Sequence, residues 1–279
     1  MTPDATVTLR DGARVPALGQ GTWMMAERVE RRADEIAALR AGIERGLTLI
    51  DTAEMYADGA AETLVGEAIA GRRDAVFLVG KAYPQNASRK RLRAACEASL
   101  ARLGTDRLDL YLLHWRGAVP LAETVEAMES LRDAGLIARW GVSNLDTADM
   151  IALVAAGGDG CATDQILYNP VRRGAEFALL PWLTERAMPV MAYSPVEQGR
   201  LIADPALAAI AREIGATPAQ LALAWTLRRD DVIAIPKAGT VAHVAENHAA
   251  LALTLDAAVL ARLDAAFPAP RAARRLEML

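Results

Sequence analysis

The chain has 279 residues, of which 53% are hydrophobic and 24% charged, and its net charge is −4. This composition suits a large buried core and excludes bulk disorder, and scattered arginines without a basic block argue against a nucleic-acid footprint. No run of 18 apolar residues and no apolar leader after "MTPDATVTLRDGARV" occurs, so neither a membrane span nor a secretory signal is expected; Cys96 and Cys161 lie in no metal-ligand spacing, so no metal site is expected and a reducing, cytoplasmic setting is.

In chain order, "VTLRDGARVP" reads as a β-hairpin, followed by "PALGQGTW", "LTLIDTA", "VFLVGKAY", "LDLYLLHW", "IARWGVSN", "TDQILYN", "PVMAYSP" and "VIAIPKAG" as short apolar strands. Between them lie amphipathic helices. "RRADEIAALRAGIERG" ends on Gly46, "SRKRLRAACEASLARLG" is expected to open at Ser88 and end on Gly104, and "LAETVEAMESLRDAGL" stops at Gly135. "TPAQLALAWTLRRD" has Thr217 as N-cap and Pro218 at the first helical position. Strands apolar on both faces and alternating with helices imply a parallel sheet with right-handed crossovers. Eight strands without a linker or composition shift favour an α/β fold of the (β/α)₈ TIM-barrel type, residues 1–279 as one domain. The hairpin is expected to cap the N-terminal end of the barrel and the tail "PAPRAARRLEML" to loop over the opposite face.

Each strand finishes on polar chemistry: Thr22 and Trp23; Asp51 and then Tyr56; Lys81; His114 and Trp115; Ser143 and Asn144; Gln165; Tyr193 and Ser194; Lys237. In a (β/α)₈ barrel these ends open onto one face. Taken singly, Asp51 reads as a turn cap, Tyr56 as a packing phenol, Lys81 as a solvated strand end and His114 as a core imidazole. Together they supply the types that proton transfer needs. A phenol with an ordinary pKa near ~10 is a poor acid at neutral pH, so Lys81 is expected to lower the pKa of Tyr56, Asp51 to hold Lys81 charged, and His114 to orient a carbonyl or share the proton relay.

These segments resemble the aldo-keto reductase superfamily from about Gly19 to Asn247, with "LGQGTW", "IDTAEMYADGAAETLVGEAI", "RLDLYLLHW", "GVSN", "DQILYNP", "MAYSP" and "IPKAG…EN" in family order. The resemblance implies an NAD(P)H-dependent reductase of aldehydes, dicarbonyls or ketones that binds its cofactor extended and without a Rossmann fold. Its catalytic tetrad would be Asp51, Tyr56, Lys81 and His114, with Tyr56 as the acid and Trp23 and Trp115 lining the entrance for a small carbonyl substrate. Ser143, Asn144 and Gln165 would bind the carboxamide and Tyr193 would stack on the nicotinamide. Ser194, Pro195, Val196 and Gln198 would cover the pyrophosphate, and Lys237, Gly239, Glu246 and Asn247 would hold the adenosine end. Gly21, Thr22 and Trp23 close the set.

Two positions depart from the family pattern: Ala238 stands where "IPKS" has a hydroxyl, and His243 stands where an arginine often clasps the 2′-phosphate of NADPH. NADPH is the expected cofactor because Lys237 is kept, with NADH as a possible second. A monomer is expected. Two other readings compete: a Schiff-base lyase using the Lys81 amine, and a nucleotide-sensing regulatory subunit with little turnover.

Overall fold

The computed structural model describes residues 5–279. A hairpin of β1 (Thr6–Thr8) and β2 (Arg14–Pro16) precedes eight parallel strands: β3 (Gln20–Gly21), β4 (Leu49–Asp51), β5 (Phe77–Ala82), β6 (Leu110–Leu113), β7 (Trp140–Ser143), β8 (Asp164–Leu167), β9 (Val190–Tyr193) and β10 (Val232–Ala234). Each pairs with the next in sequence. The ends of the series also meet, since Gly19 N–H donates to Ala234 O at 2.8 Å and Ala234 N–H to Ala17 O at 2.8 Å. The sheet is therefore a closed barrel. Gly21 is required at this seam, because a β-carbon there would stand 2.7 Å from Ile235 O.

Helices α1 (Arg32–Glu44), α2 (Ala60–Ile69), α3 (Leu92–Leu103), α4 (Leu121–Asp133), α5 (Thr147–Ala155) and α6 (Leu179–Thr184) each link successive strands from β3 to β9. Two helices, α7 (Pro205–Glu213) and α8 (Pro218–Thr226), connect β9 to β10, and α9 (Val241–Ala249) and α10 (Ala257–Ala266) follow it. Thr217 caps α8, as expected from the sequence, and Gln220 completes a capping box with it. Helix α3 begins at Leu92 and not at Ser88, and the side chain of its N-cap residue, Arg91, makes no capping hydrogen bond. Arg89, Lys90 and Arg91 would place three cations at the positive end of the helix dipole, and Arg89 N–H is instead taken by Glu123 Oε1 at 3.1 Å.

Strand alternation sorts the barrel interior into tiers. Leu49, Val79, Leu112, Met191 and Ile233 belong to the inner cluster that also holds Val7, Leu9 and Val15 of the hairpin. The hairpin thus packs under the barrel floor, and Arg139, just before β7, holds Asp11 of its turn at 2.5 Å. Two positions further along the same inward rows stand Asp51, Lys81, His114 and Tyr193. An apolar floor below and a polar mouth above follow from one period-2 pattern. The tail crosses the mouth side, where Arg172 Nη1 donates to Glu277 Oε1 at 2.7 Å.

Candidate active site

Lys81 is completely enclosed, at 0% exposure, and its ammonium has three acceptors for three protons: Asp51 Oδ2 at 2.6 Å, Tyr56 Oη at 2.9 Å and Thr52 O at 3.1 Å. Because Tyr56 Oη accepts from Lys81, its own proton is free to be given elsewhere. The His114 ring lies 5.9 Å from the Tyr56 ring, edge-on at 75°, and the Trp115 ring 5.0 Å from His114. All four residues expected to form the tetrad are brought together.

The electrostatics correct one expectation. Burial raises the pKa of Tyr56, Lys81 opposes the rise, Asp51 adds to it, and the net shift is upward. Desolvation of the phenolate outweighs the single cation, so Tyr56 stays a neutral, protonated phenol. Burial alone would lower Lys81, but Asp51 and Tyr56 overcome it and its pKa lies above the ordinary lysine value. An amine held charged by its neighbours is a poor nucleophile, which weighs against the Schiff-base reading. Burial and the Lys81 charge push His114 down to about 2, so its imidazole is neutral, and among the described residues its buried Nδ1 has no hydrogen-bond partner.

Around the rim, Ser143 Oγ donates to Gln165 O at 2.8 Å, and Asn144 Nδ2 donates to His114 O at 3.1 Å and Ser143 Oγ at 3.0 Å. Tyr193 Oη donates to Asn144 Oδ1 at 2.9 Å. Gln165 Nε2 is held by Asp51 Oδ1 at 2.7 Å. Thr22 is buried, with its hydroxyl on Asp51 O at 2.9 Å, while Trp23 is 39% exposed at the mouth. Sequence reasoning missed Tyr83 and Glu54. Tyr83 closes the wall edge-on to Trp115 at 5.9 Å, and Glu54 Oε1 fixes it by accepting Tyr83 N–H at 2.6 Å and Asn86 Nδ2 at 3.0 Å. The signal was present, since Tyr83 ends the same apolar run that carries Lys81.

Beyond β9 the backbone is left-handed at Ser194, Glu197 and Gln198, which turns the loop containing Pro195 and Val196 back over the rim. Past β10, Lys237 bridges to Gly21, Ala238 is buried, and a β-carbon at Gly239 would stand 3.3 Å from Lys237 Nζ. Thr240 caps α9 by accepting His243 N–H at 3.3 Å. His243 is exposed on the first turn, with Glu246 half-buried and Asn247 buried further along the helix.

The family model for the aldo/keto reductase family matches residues 17–267. The chain belongs to the aldo/keto reductase family. As such it is a nicotinamide-dependent oxidoreductase that reduces carbonyl groups. This reductase is 55% identical over 271 residues to the methylglyoxal reductase YeaE of Escherichia coli strain K12, covering 95% of each chain. It superposes with a TM-score of 0.97 at 53% identity on an aldo-keto reductase of Klebsiella pneumoniae in complex with NADPH, covering 100% of both chains. A structure of a Klebsiella pneumoniae aldo/keto reductase with NADP and acetate gives a TM-score of 0.96 at 53% identity, covering 99% of this chain and 100% of that one.

Proposed function

We propose that this aldo/keto reductase uses NADPH to reduce small reactive aldehydes and α-dicarbonyls of the methylglyoxal class, with Tyr56 as general acid. The carrying observation is the 2.9 Å contact from Lys81 Nζ to Tyr56 Oη, which leaves the phenol proton free and sets a cation beside the oxygen that will lose it. When bound, the nicotinamide supplies a hydride to the carbonyl carbon. Tyr56 gives its proton to the carbonyl oxygen, the phenolate left behind is stabilised by Lys81, and Asp51 keeps Lys81 charged. His114, neutral, orients the carbonyl rather than contributing charge. Together, one hydride and one proton turn C=O into an alcohol, and solvent returns the proton to Tyr56.

The residues present suit an extended dinucleotide. Ser143, Asn144 and Gln165 offer amide and hydroxyl groups beside Tyr193 for the nicotinamide end, the left-handed loop at Ser194–Gln198 offers backbone for the pyrophosphate, and Lys237 with the α9 N-terminus offers positive potential for the adenosine end. Gly21 is better explained by the barrel seam than by ligand contact. Two solved relatives at 53% identity hold NADP or NADPH, and the relative at 55% identity is named for methylglyoxal. Trp23, Tyr83 and Trp115 give the mouth flat apolar walls that suit a small carbonyl. Cys96 and Cys161 are both free and buried, and the reading places the enzyme in the cytoplasm as a monomer.

The test follows absorbance at 340 nm with methylglyoxal, simple aldehydes and ketones, each with NADPH and with NADH. Expected are turnover fastest with the dicarbonyl, a preference for NADPH, and a fall of roughly 10²–10⁴ in kcat for Tyr56→Phe with cofactor affinity kept. Cofactor binding without any turnover would favour the sensing-subunit reading instead.

A further inference from the structure

The segment that delivers Tyr56 is conformationally unusual. Ala57 (φ 49°, ψ 43°), Asp58 (φ 51°, ψ 41°) and Gly59 (φ 86°) follow it as three consecutive left-handed residues, two of them bearing side chains. Such runs persist only where the surroundings over-determine them. Local hydrogen bonds hold part of this one: Tyr56 N–H donates to Ala53 O at 3.1 Å, Ala60 N–H to Tyr56 O and Ala57 O, and Thr63 Oγ1 to Gly59 O at 3.4 Å as the turn leads into α2.

A further constraint comes from α3, outside the barrel. Arg102, near the end of α3, lies against the open face of Gly59, where a β-carbon would stand 2.6 Å from Nε and 2.7 Å from Cδ. Its guanidinium is itself held: Nε donates to Glu62 Oε2 at 2.5 Å and Nη2 to Ser99 Oγ at 3.2 Å. The Glu62 carboxylate is wholly buried in the first turn of α2, just after the left-handed turn. At Gly66 the two helices touch so closely that a β-carbon would stand 2.7 Å from Leu103 O, which fixes Arg102, one residue earlier, over the start of α2. Arg102 and Glu62 therefore bracket the turn from above and from its far end.

From this geometry we propose that Arg102, paired with Glu62, is a positioning residue for the reduction: it clamps the left-handed turn after Tyr56 and so keeps the phenol hydroxyl in register with Lys81, although neither member of the pair is placed among the residues that meet substrate or cofactor. The proposal rests on Tyr56 being the proton donor. Its physical content is that a hydroxyl 2.9 Å from an ammonium is displaced by any relaxation of the chain that follows it, and that general-acid efficiency depends on that placement.

The experiment compares wild type, Tyr56→Phe, Arg102→Ala and Arg102→Lys with NADPH and methylglyoxal, reading kcat, KM, NADPH Kd by fluorescence titration and the solvent deuterium isotope effect on kcat. Expected for Arg102→Ala are a kcat lower by about tenfold or more, an NADPH Kd within about twofold of wild type, a larger solvent isotope effect, and partial recovery in Arg102→Lys. A kcat within about twofold of wild type overturns the clamp, and so does a parallel loss of kcat and NADPH affinity, which would mean general loosening. Should Arg102→Ala not fold, Glu62→Gln weakens the same clamp from its other partner without touching the left-handed residues; an unchanged kcat there overturns the proposal. An unchanged rate in Tyr56→Phe would sink the proton-donor reading itself, whereas a large loss there with none in the Arg102 variants sinks only the clamp.

Discussion

Gln165 donates its side-chain amide to Asp51 Oδ1 at 2.7 Å from 114 positions further along the chain. The other oxygen of the same carboxylate accepts from Lys81, so Asp51 is fixed from both sides of the barrel. Replacing Asp51 by Asn strips the enclosed ammonium of its counter-charge. The folded state should lose about 3–5 kcal/mol, read from urea unfolding at neutral pH. Adding Lys81→Met to that variant should return most of the stability and none of the activity. An unchanged midpoint in the single variant would show that Lys81 does not carry a charge in the native protein.

The depressed pKa of His114 sets a direction for acid stability. Between the ordinary value of 6.5 and its native value of about 2, the unfolded chain binds a proton that the native site does not. This contribution therefore falls as pH drops below 6.5, with a limiting slope near ~1.4 kcal/mol per pH unit. His114→Phe should flatten the loss of stability between pH 6.5 and 4.5. A slope equal to that of wild type would mean that the imidazole is protonated in place.

Asp164 acts in the opposite sense. It stands on the outward side of β8 and is fully buried, and among the described residues no cation pairs with its carboxyl group. Burial raises its pKa well above the ordinary 3.8, so the native state keeps a proton that the unfolded state releases as pH rises past that value. Its contribution is greatest in acid and is lost as pH climbs. Asp164→Asn should raise the urea midpoint at pH 7.5 more than at pH 4. A lower midpoint at pH 7.5 would mean that the carboxylate is ionised and held by a partner.

Arg172 ties the tail to the loop after β9. Its Nε and Nη2 donate to the buried Glu197 at 3.0 and 2.8 Å while Nη1 holds Glu277 at 2.7 Å, and Leu276 packs on the core beside it. Arg271, Arg274 and Arg275 are exposed in this tail. In Arg172→Ala, early tryptic cleavage at those three sites should accelerate by about tenfold, which corresponds to roughly 1.4 kcal/mol of lost docking. Cleavage at the wild-type rate would mean that apolar packing by Leu276 alone holds the tail down.

Much of this architecture is written along the chain because it depends on local periodicity. The run "LTLIDTA" places Leu49 and Asp51 on one face of a strand and Ile50 on the other, and repetition of that pattern eight times gives both the barrel and a mouth lined with strand-end polar groups. Thr217 with Gln220, and the glycines at positions 46, 104 and 135, mark helix ends by short-range chemistry that needs no tertiary partner.

What the sequence alone determined is thus the element order, the barrel and the residues that share its mouth. Only the tertiary structure decided their states. Whether Tyr56 is raised or lowered depends on how desolvation balances one cation and one carboxylate, three quantities set by burial and distance and absent from residue spacing. The same holds for the neutral His114, for the buried Asp164, and for Arg102 resting on Gly59 from 43 positions away. Charge states and clamps are properties of three-dimensional neighbours, and the chain lists only neighbours along itself.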